Sequence, residues 1–311
     1  MGPSPITRVA VIGECMVELT KNQGQLTQSF GGDTLNTAVY LSRLTTLHGV
    51  STSYVTGLGK DSFSQEMLTA WQKEKINTNM VTLSETKLPG MYAIETTNCG
   101  ERSFHYWRND SAAKYWLREL DHFDVLDELC EHQLIYLSGI SLAILPDDCR
   151  KSLMILLNQC RAKGVKIAFD NNFRPALWPD LELARTCYRD ILTLSDIAFL
   201  TFDDEALLWG DDIEQQAIDR TLAFGVEEII VKRGSDNCFI VTKGSFESVA
   251  ANPIDSIVDT TAAGDSFSAG YLAKRILGGD MTESACSGHL VAGTVIQHSG
   301  AIIPTEVMPT I

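Results

Sequence analysis

The 311-residue chain has no apolar run near the roughly 18 residues that a membrane-spanning helix needs. Its longest candidate, residues 134–145, is broken by Ser138, Gly139 and Ser141, which is strand-and-turn chemistry. It has no Cys-x-x-Cys pair: the eight cysteines, at 15, 99, 130, 149, 160, 187, 238 and 286, are scattered. With no secretory leader pattern at the start, the expectation is a cytoplasmic protein whose thiols stay reduced and serve mostly as small buried apolar residues. Basic residues are scarce, 25 Lys and Arg against 40 Asp and Glu, for a formal net charge of −15. Such a field repels phosphate backbones and anionic lipid, so neither nucleic acid nor a membrane surface is expected as a partner. The six histidines lack the spacing of a zinc site. No repeat, low-complexity tract or Pro/Gly/Ser-rich linker interrupts the chain. Two common nucleotide motifs are missing as well. Gly59-Lys60 has Tyr54 where a P-loop needs its first glycine and Asp61 where it needs Ser or Thr, and Gly57-Leu-Gly59 has Ser62 where a dinucleotide loop needs its third glycine.

What is present is the composition of an ordinary soluble protein, 44% hydrophobic and 21% charged, with length enough for a large core. Residues 9–13 (VAVIG) read as a buried strand, and residues 14–18 alternate as a half-exposed one. The turn at 30–33 leads into a helix over 34–44; strand 54–59 precedes a helix through Met67, Leu68 and Trp71. Between about 80 and 108 the period changes to two, with Asn98, Gly100 and Glu101 at the apex of a β-hairpin. Beyond it, strands at 134–137, 166–169, 197–200 and 228–231 alternate with helices at 147–163, 181–194 and 214–224. That alternation predicts βαβ units and one doubly wound, mostly parallel α/β domain over 1–311, carrying a small β-sheet lid from segments near 14–30 and 80–108.

The most informative stretch is 259–272, DTTAAGDSFSAGYL. Ala262, Ala263 and Gly264 have almost no side chain and stand immediately before a helical pattern, so the first amides of that helix stay open to a ligand. Open amides and the positive end of the helix dipole make an anion hole. Asp265 beside it is well placed to take a proton from an attacking hydroxyl. The pairing suits phosphoryl transfer, whose loose transition state mainly needs positioning and charge stabilisation.

This segment resembles the second signature of the ribokinase-like (PfkB) sugar kinases, and residues 31–38, GGDTLNTA, resemble the first. Further segments are similar to the 2-keto-3-deoxygluconate kinase branch: IGECM at 12–16, YWR at 106–108, SGIS at 138–141, DNNFRP at 170–175 with Leu177-Trp178, and GAIIP at 300–304. The resemblance implies a ribokinase-like fold with a β lid and ATP-dependent phosphorylation of 2-keto-3-deoxygluconate at its terminal hydroxyl. It implies Asp265 as catalytic base and Ala262, Ala263 and Gly264 as the anion hole. Substrate contacts fall to Gly32, Asp33, Tyr92, Tyr106, Arg108 and Arg174. The chemistry agrees, because an aldonate-type keto acid carries a carboxylate that suits a guanidinium fork.

For ATP the resemblance implies Asn172, Lys232, Gly234 and Asn237. Many relatives organise Mg²⁺ through water with an N-x-x-E motif; here the segment is Phe202-Asp203-Asp204-Glu205, with Phe in the Asn position, which leaves Glu205 as the expected participant and Asp203 or Asp204 as substitutes. Asp259 and Thr261 match positions that hold a monovalent cation, K⁺, in some relatives. A half-exposed lid also predicts homo-oligomerisation through residues near 14–18 and 91–106. Two other functions fit the same pattern: a PfkB-type kinase for a neutral ketose such as fructose or ribose, and a non-catalytic sugar-acid sensor, which the intact Gly264-Asp265 pair argues against.

Overall fold

A computed structural model of the chain describes residues 5–22, 25–96, 102–120 and 122–311. Its strands, in chain order, are β1 (Arg8–Ile12), β2 (Met16–Asn22), β3 (Gln25–Gly31), β4 (Ser51–Leu58), β5 (Val81–Leu83), β6 (Met91–Thr96), β7 (Arg102–Trp107), β8 (Leu134–Ser138), β9 (Lys166–Asp170), β10 (Ile197–Thr201), β11 (Glu228–Lys232), β12 (Cys238–Val241) and β13 (Phe246–Val249). Nine of them form one sheet in the order β13-β12-β11-β10-β9-β8-β1-β4-β5, parallel from β11 to β5, with an antiparallel margin at β12 and β13.

The apolar, β-branched runs make strands that are buried on both faces. Along β1, Ala10 and Ile12 enter one hydrophobic cluster while Val9 and Val11 enter the other; β8 does the same with Ile135 and Leu137 against Leu134 and Tyr136. Successive side chains point to opposite faces, so helices must cover both. From β1 the chain runs outward one way to β4 and β5, and later the other way through β8, β9, β10 and β11. The reversal opens a crevice at the carboxyl ends of the central strands, where open α/β sheets take their ligands.

The second sheet has the order β3-β2-β6-β7, and β2 runs parallel to β6. This is the expected lid, with corrected boundaries. β5 pairs with β4 at the edge of the large sheet, so the lid's second part begins at Met91 rather than near residue 80. The hairpin apex at residues 97–101 lies outside the described residues. Residues 14–17, expected to be half-exposed, are buried, because Val17 joins the core of the large sheet while Met16 packs with Tyr92 and Ile94 of the lid. They are therefore not available as an interface. The exposed apolar side chains of the lid are Leu26, Phe104, Tyr106 and Trp107.

Two helices position the crevice chemistry. The helix Ala263–Ile276 packs on helix Met281–Val295, for which the sequence gives no periodic signal because so many of its residues are small. The smallness is what allows the contact: a Cβ on Gly270 would lie 2.8 Å from the Ser287 carbonyl oxygen, and one on Gly288 would lie 3.0 Å from the Phe267 ring. Asp280 caps the second helix by accepting from the Glu283 amide at 2.8 Å. Gly270→Val should therefore cost ~1–3 kcal/mol of stability by overpacking, measured by urea titration; an unchanged midpoint would show that the two helices separate freely.

Candidate active site

Between the lid and the carboxyl ends of the parallel strands lies a cavity of about 1150 Å³. Its wall gathers Gly32, Asp33, Tyr92, Tyr106, Arg108, Asn172, Arg174, Lys232, Gly234, Thr261, Ala262, Ala263, Gly264 and Asp265 from segments spread over most of the chain. Glu205, Asn237 and Asp259 are not on this wall.

At its floor the chain turns through Ala262, whose φ of 62° lies in the left-handed region that L side chains other than Asn and Asp rarely adopt. The helix then begins at Ala263. The Ala263 amide is consumed inside the turn by the Thr260 carbonyl at 3.2 Å, and the first intrahelical bond runs from Ser266 N to Ala262 O at 2.9 Å. The amides of Gly264 and Asp265, at the second and third helical positions, have no backbone acceptor. They are open donors of the kind that can receive an anion, one residue further along than the small residues alone suggest.

The Asp265 carboxylate accepts from Asn36 Nδ2 at 2.9 Å. Burial pushes its pKa up to about 7; Asp33 and Asp170 add to the rise, while the Asn36 hydrogen bond and the Lys232 charge oppose it. A carboxyl that titrates near neutrality can hold a hydroxyl proton during reaction and release it afterwards. Asn36 Oδ1 is buried without a partner. Asp33, first residue of the helix Asp33–Thr45, accepts from Asn172 Nδ2 at 2.6 Å. Asn172 has a φ of 27°, a costly conformation that its own contacts hold in place, its amide donating to Asn171 Oδ1 at 2.7 Å. Gly32 is required for space: a Cβ there would stand 2.2 Å from the Glu14 carbonyl oxygen.

At the lid end, Arg108 is 9% exposed and paired with the buried Glu14, whose other oxygen accepts from Ser111 Oγ. Arg108 Nε is buried with no hydrogen-bond partner. Tyr106 stacks on Tyr92 at 5.7 Å between centroids, and the guanidinium lies 6.0 Å from the Tyr106 ring. The Tyr92 hydroxyl donates to Glu18, and burial followed by that carboxylate drives its pKa upward. Arg174 is half-exposed; it donates to the Phe173 carbonyl at 2.8 Å and reaches Asp204 Oδ1 at 3.5 Å. Burial raises the pKa of Asp204, with Arg174 opposing.

The remaining expected residues are engaged elsewhere. Glu205 is fully buried, accepting from Asn171 Nδ2 at 2.9 Å and paired with Arg220 at 2.7 Å. A carboxylate saturated in this way does not face the cavity, so the expected magnesium role finds no support in its placement, whereas its neighbour Asp204 does line the wall. Asn237 is exposed and donates to Ser248 Oγ at 3.0 Å. Asp259 staples its own loop, accepting from Thr261 N at 3.0 Å, Thr261 Oγ1 at 2.6 Å and Gly300 N at 3.0 Å. Conversely, Glu14, Asn36 and Asp170 line the cavity although no role had been placed on them; each stands inside a motif segment, and that position was the one available signal. The far end is apolar, with Ile254, Ile257, Phe267, Ala292 and Ile296.

Among the described residues no group of three or more His, Cys, Asp or Glu could hold a metal. Two open amides, an adjacent ammonium and a long cavity with an apolar end fit a nucleoside triphosphate.

A doubly wound α/β sheet, open amides at a helix start and a carboxylate beside them suit phosphoryl transfer to a hydroxyl. The pfkB family carbohydrate kinase pattern matches residues 6–308, and the chain belongs to that family. It is 51% identical to the 2-dehydro-3-deoxygluconokinase of Dickeya dadantii over 304 residues, covering 97% of this chain and 98% of that protein. A fructokinase of Salmonella typhimurium is 26% identical over 96% of this chain and 93% of its own length. The fold is that of an E. coli putative Ribokinase II solved in complex with ATP and Mg²⁺, with a TM-score of 0.83 at 22% identity over 98% of this chain and 96% of that one.

A raised carboxyl pKa also bears on stability. The folded state holds the Asp265 proton more tightly than the unfolded chain, so this group's contribution is fully present below about pH 4 and is lost as pH rises through about 7. Asp265→Asn should therefore stabilise the ligand-free protein at pH 8 by up to ~4 kcal/mol, with the gain vanishing near pH 4. Urea titrations at the two pH values measure it; equal gains at both would mean that the carboxyl titrates normally.

Proposed function

We propose that the chain is an ATP-dependent kinase that phosphorylates 2-keto-3-deoxygluconate, also called 2-dehydro-3-deoxygluconate, at its terminal hydroxyl to give the 6-phospho product of sugar-acid catabolism. The observation that carries this reading is one cavity holding Asp265 and the open Gly264 and Asp265 amides at its floor and two guanidinium groups, Arg108 and Arg174, on its wall. Half of the residues are shared with a full-length 2-dehydro-3-deoxygluconokinase, against about a quarter with a fructokinase.

In this reading Asp265 takes the proton of the acceptor hydroxyl, Asn36 fixes the orientation of its carboxylate, and the two amides receive the charge of the transferring group. Arg174 and the unpartnered Nε of Arg108 bind the substrate carboxylate, while Tyr106, Tyr92, Gly32 and Asp33 enclose the sugar chain. Asn172, through Asp33, links the two ends of the cavity, and Gly234 with the apolar end receives the nucleoside. Mg²⁺, when bound, bridges the nucleotide phosphates and offsets their charge. A monovalent cation at the 259–261 loop would take carbonyl oxygens, since the Asp259 side chain is engaged within the loop. We also propose a cytoplasmic location, where ATP is supplied, and pairing with a second copy through the outer face of the lid. Light scattering that gives a monomer at working concentration would remove the pairing.

A coupled ADP-release assay on the keto acid tests the activity. Asp265→Asn should lower kcat by ~10²- to 10⁴-fold, and unchanged turnover would reject Asp265 as the base. Arg108→Ala should lower kcat/KM for the keto acid by about tenfold or more, with little change for fructose or ribose. Comparable kcat/KM values for a neutral ketose in the unaltered protein would favour the second kinase reading, and tight keto-acid binding without turnover would favour a sensor.

A further inference from the structure

Lys232 closes β11, and its ammonium is held from several directions. Nζ lies 2.7 Å from Asp170 Oδ2 and 3.5 Å from Ser268 Oγ, and 6.0 Å from the Phe199 ring centroid. Asp170 ends β9, is 3% exposed, and presents that same oxygen to three donors: Lys232, Ser268 Oγ at 2.8 Å and Tyr136 OH at 3.2 Å. A buried carboxylate is tolerated only where charge and hydrogen bonds offset its lost hydration. Here the offset locks Lys232 in one place, and the place is specific. A Cβ added to Gly264 would stand 3.5 Å from Lys232 Nζ, the one heavy atom within 4 Å of it beyond its chain neighbours and its own helix backbone. The ammonium thus occupies the space beside the Gly264 backbone, whose amide is one of the two open donors.

We propose that Lys232 contacts the phosphoryl group in transfer rather than the nucleoside, and that Asp170 is the residue that positions it. This rests on the kinase reading above. In the step concerned, the bond from the γ-phosphorus to the β–γ bridging oxygen breaks and ADP departs with the electron pair. A bond from phosphorus to the acceptor oxygen forms, and Asp265 takes the acceptor's proton. Lys232 offsets charge on the phosphoryl oxygens, an electrostatic part that needs no proton transfer.

The same two charges act on Asp265. It is faced by Asp33 and Tyr40 from the helix Asp33–Thr45, Tyr136 from β8, Asp170 from β9 and Lys232 from β11. His289 on the helix packed behind is bonded to the Val249 carbonyl at 3.1 Å. Removing Lys232 should raise the pH at which Asp265 deprotonates, and removing the Asp170 charge should lower it.

The test compares Lys232→Met, Lys232→Arg and Asp170→Asn with the unaltered protein, each first shown folded by its thermal transition. Calorimetry with Mg²⁺ and the keto acid present measures binding of ADP alone and of ADP with aluminium fluoride, a stand-in for the phosphoryl group in flight. Lys232→Met should weaken the aluminium fluoride complex by about 30-fold or more and ADP by less than about 3-fold, as expected for a lost charge-assisted contact. Its kcat should fall ~10²- to 10³-fold with KM for ATP changed less than about 5-fold, and Lys232→Arg should restore part of the loss. The acid limb of kcat/KM should move upward in pH for Lys232→Met and downward for Asp170→Asn. Equal weakening of both complexes, weakening of neither, or an acid limb that stays in place in both variants overturns the proposal. If Asp170→Asn does not fold, the two Lys232 variants decide it alone. An unaltered protein that binds ADP with aluminium fluoride yet fails to phosphorylate the keto acid refutes the substrate reading and leaves the Lys232 comparison standing.

Discussion

The structure depends on bringing three carboxylates, Asp33, Asp170 and Asp265, close enough to feel one another in a place with little water. Each would be costly there alone, and the surrounding chain is arranged to offset them individually. Asn172 donates to Asp33, Asn36 to Asp265, and Lys232, Ser268 and Tyr136 to Asp170. The offset is unequal by design of the contacts. Asp170 receives a full charge and two hydroxyls, whereas Asp265 receives one neutral amide and keeps a pKa pushed up to about 7. Two residues of the same type are thereby given different surroundings, which is how environment divides paired carboxylates.

That local balance also resolves the tension between a net charge of −15 and a cavity suited to two anionic ligands. Beyond about 8 Å at physiological salt the acidic envelope is largely screened. Inside the cavity the cations are Arg108, Arg174, Lys232 and Arg233, with uncharged amides at the helix start. Each cation is already in contact with a carboxylate: Arg108 with Glu14, Arg174 with Asp204, Lys232 with Asp170, Arg233 with Glu214. The chain holds its cations in position through acidic partners, so the acidic excess takes part in shaping the site, and the binding strength of each cation is tempered by its partner.

Close backbone approach is the second structural requirement. The helix that carries Asp265 is seated by Gly270 and Gly288 against its neighbour, and the helix that carries Asp33 and Asn36 starts at Gly32 hard against the Glu14 carbonyl. A Cβ at these positions would push apart the elements whose tips form the floor and one wall of the cavity. The lid uses larger groups: Met16, Tyr92 and Ile94 form their own small cluster, and Tyr106 stacks on its Tyr92, while Arg108 is anchored by Glu14.

The sequence by itself determined the class of fold, because apolar runs of strand length alternating with amphipathic helices admit little besides a doubly wound sheet, and it marked the start of the helix that carries Asp265, because three small residues before an aspartate and a helical pattern stand out in a single stretch. Residue pairs brought together from separate elements of the fold left no such mark. Nothing in linear order pairs Glu14 with Arg108, joins Asn36 to Asp265 or Asn172 to Asp33, or sends Glu205 into a buried contact with Arg220. Residues 14–17 carry an alternating pattern and are still buried, since a second sheet covers the face that water would otherwise wet. The helix Met281–Val295 has no readable period because its small residues are chosen for contact with one neighbour. Local patterning decides which elements form; electrostatic partners and covered faces depend on which elements meet, and only the tertiary structure decides that.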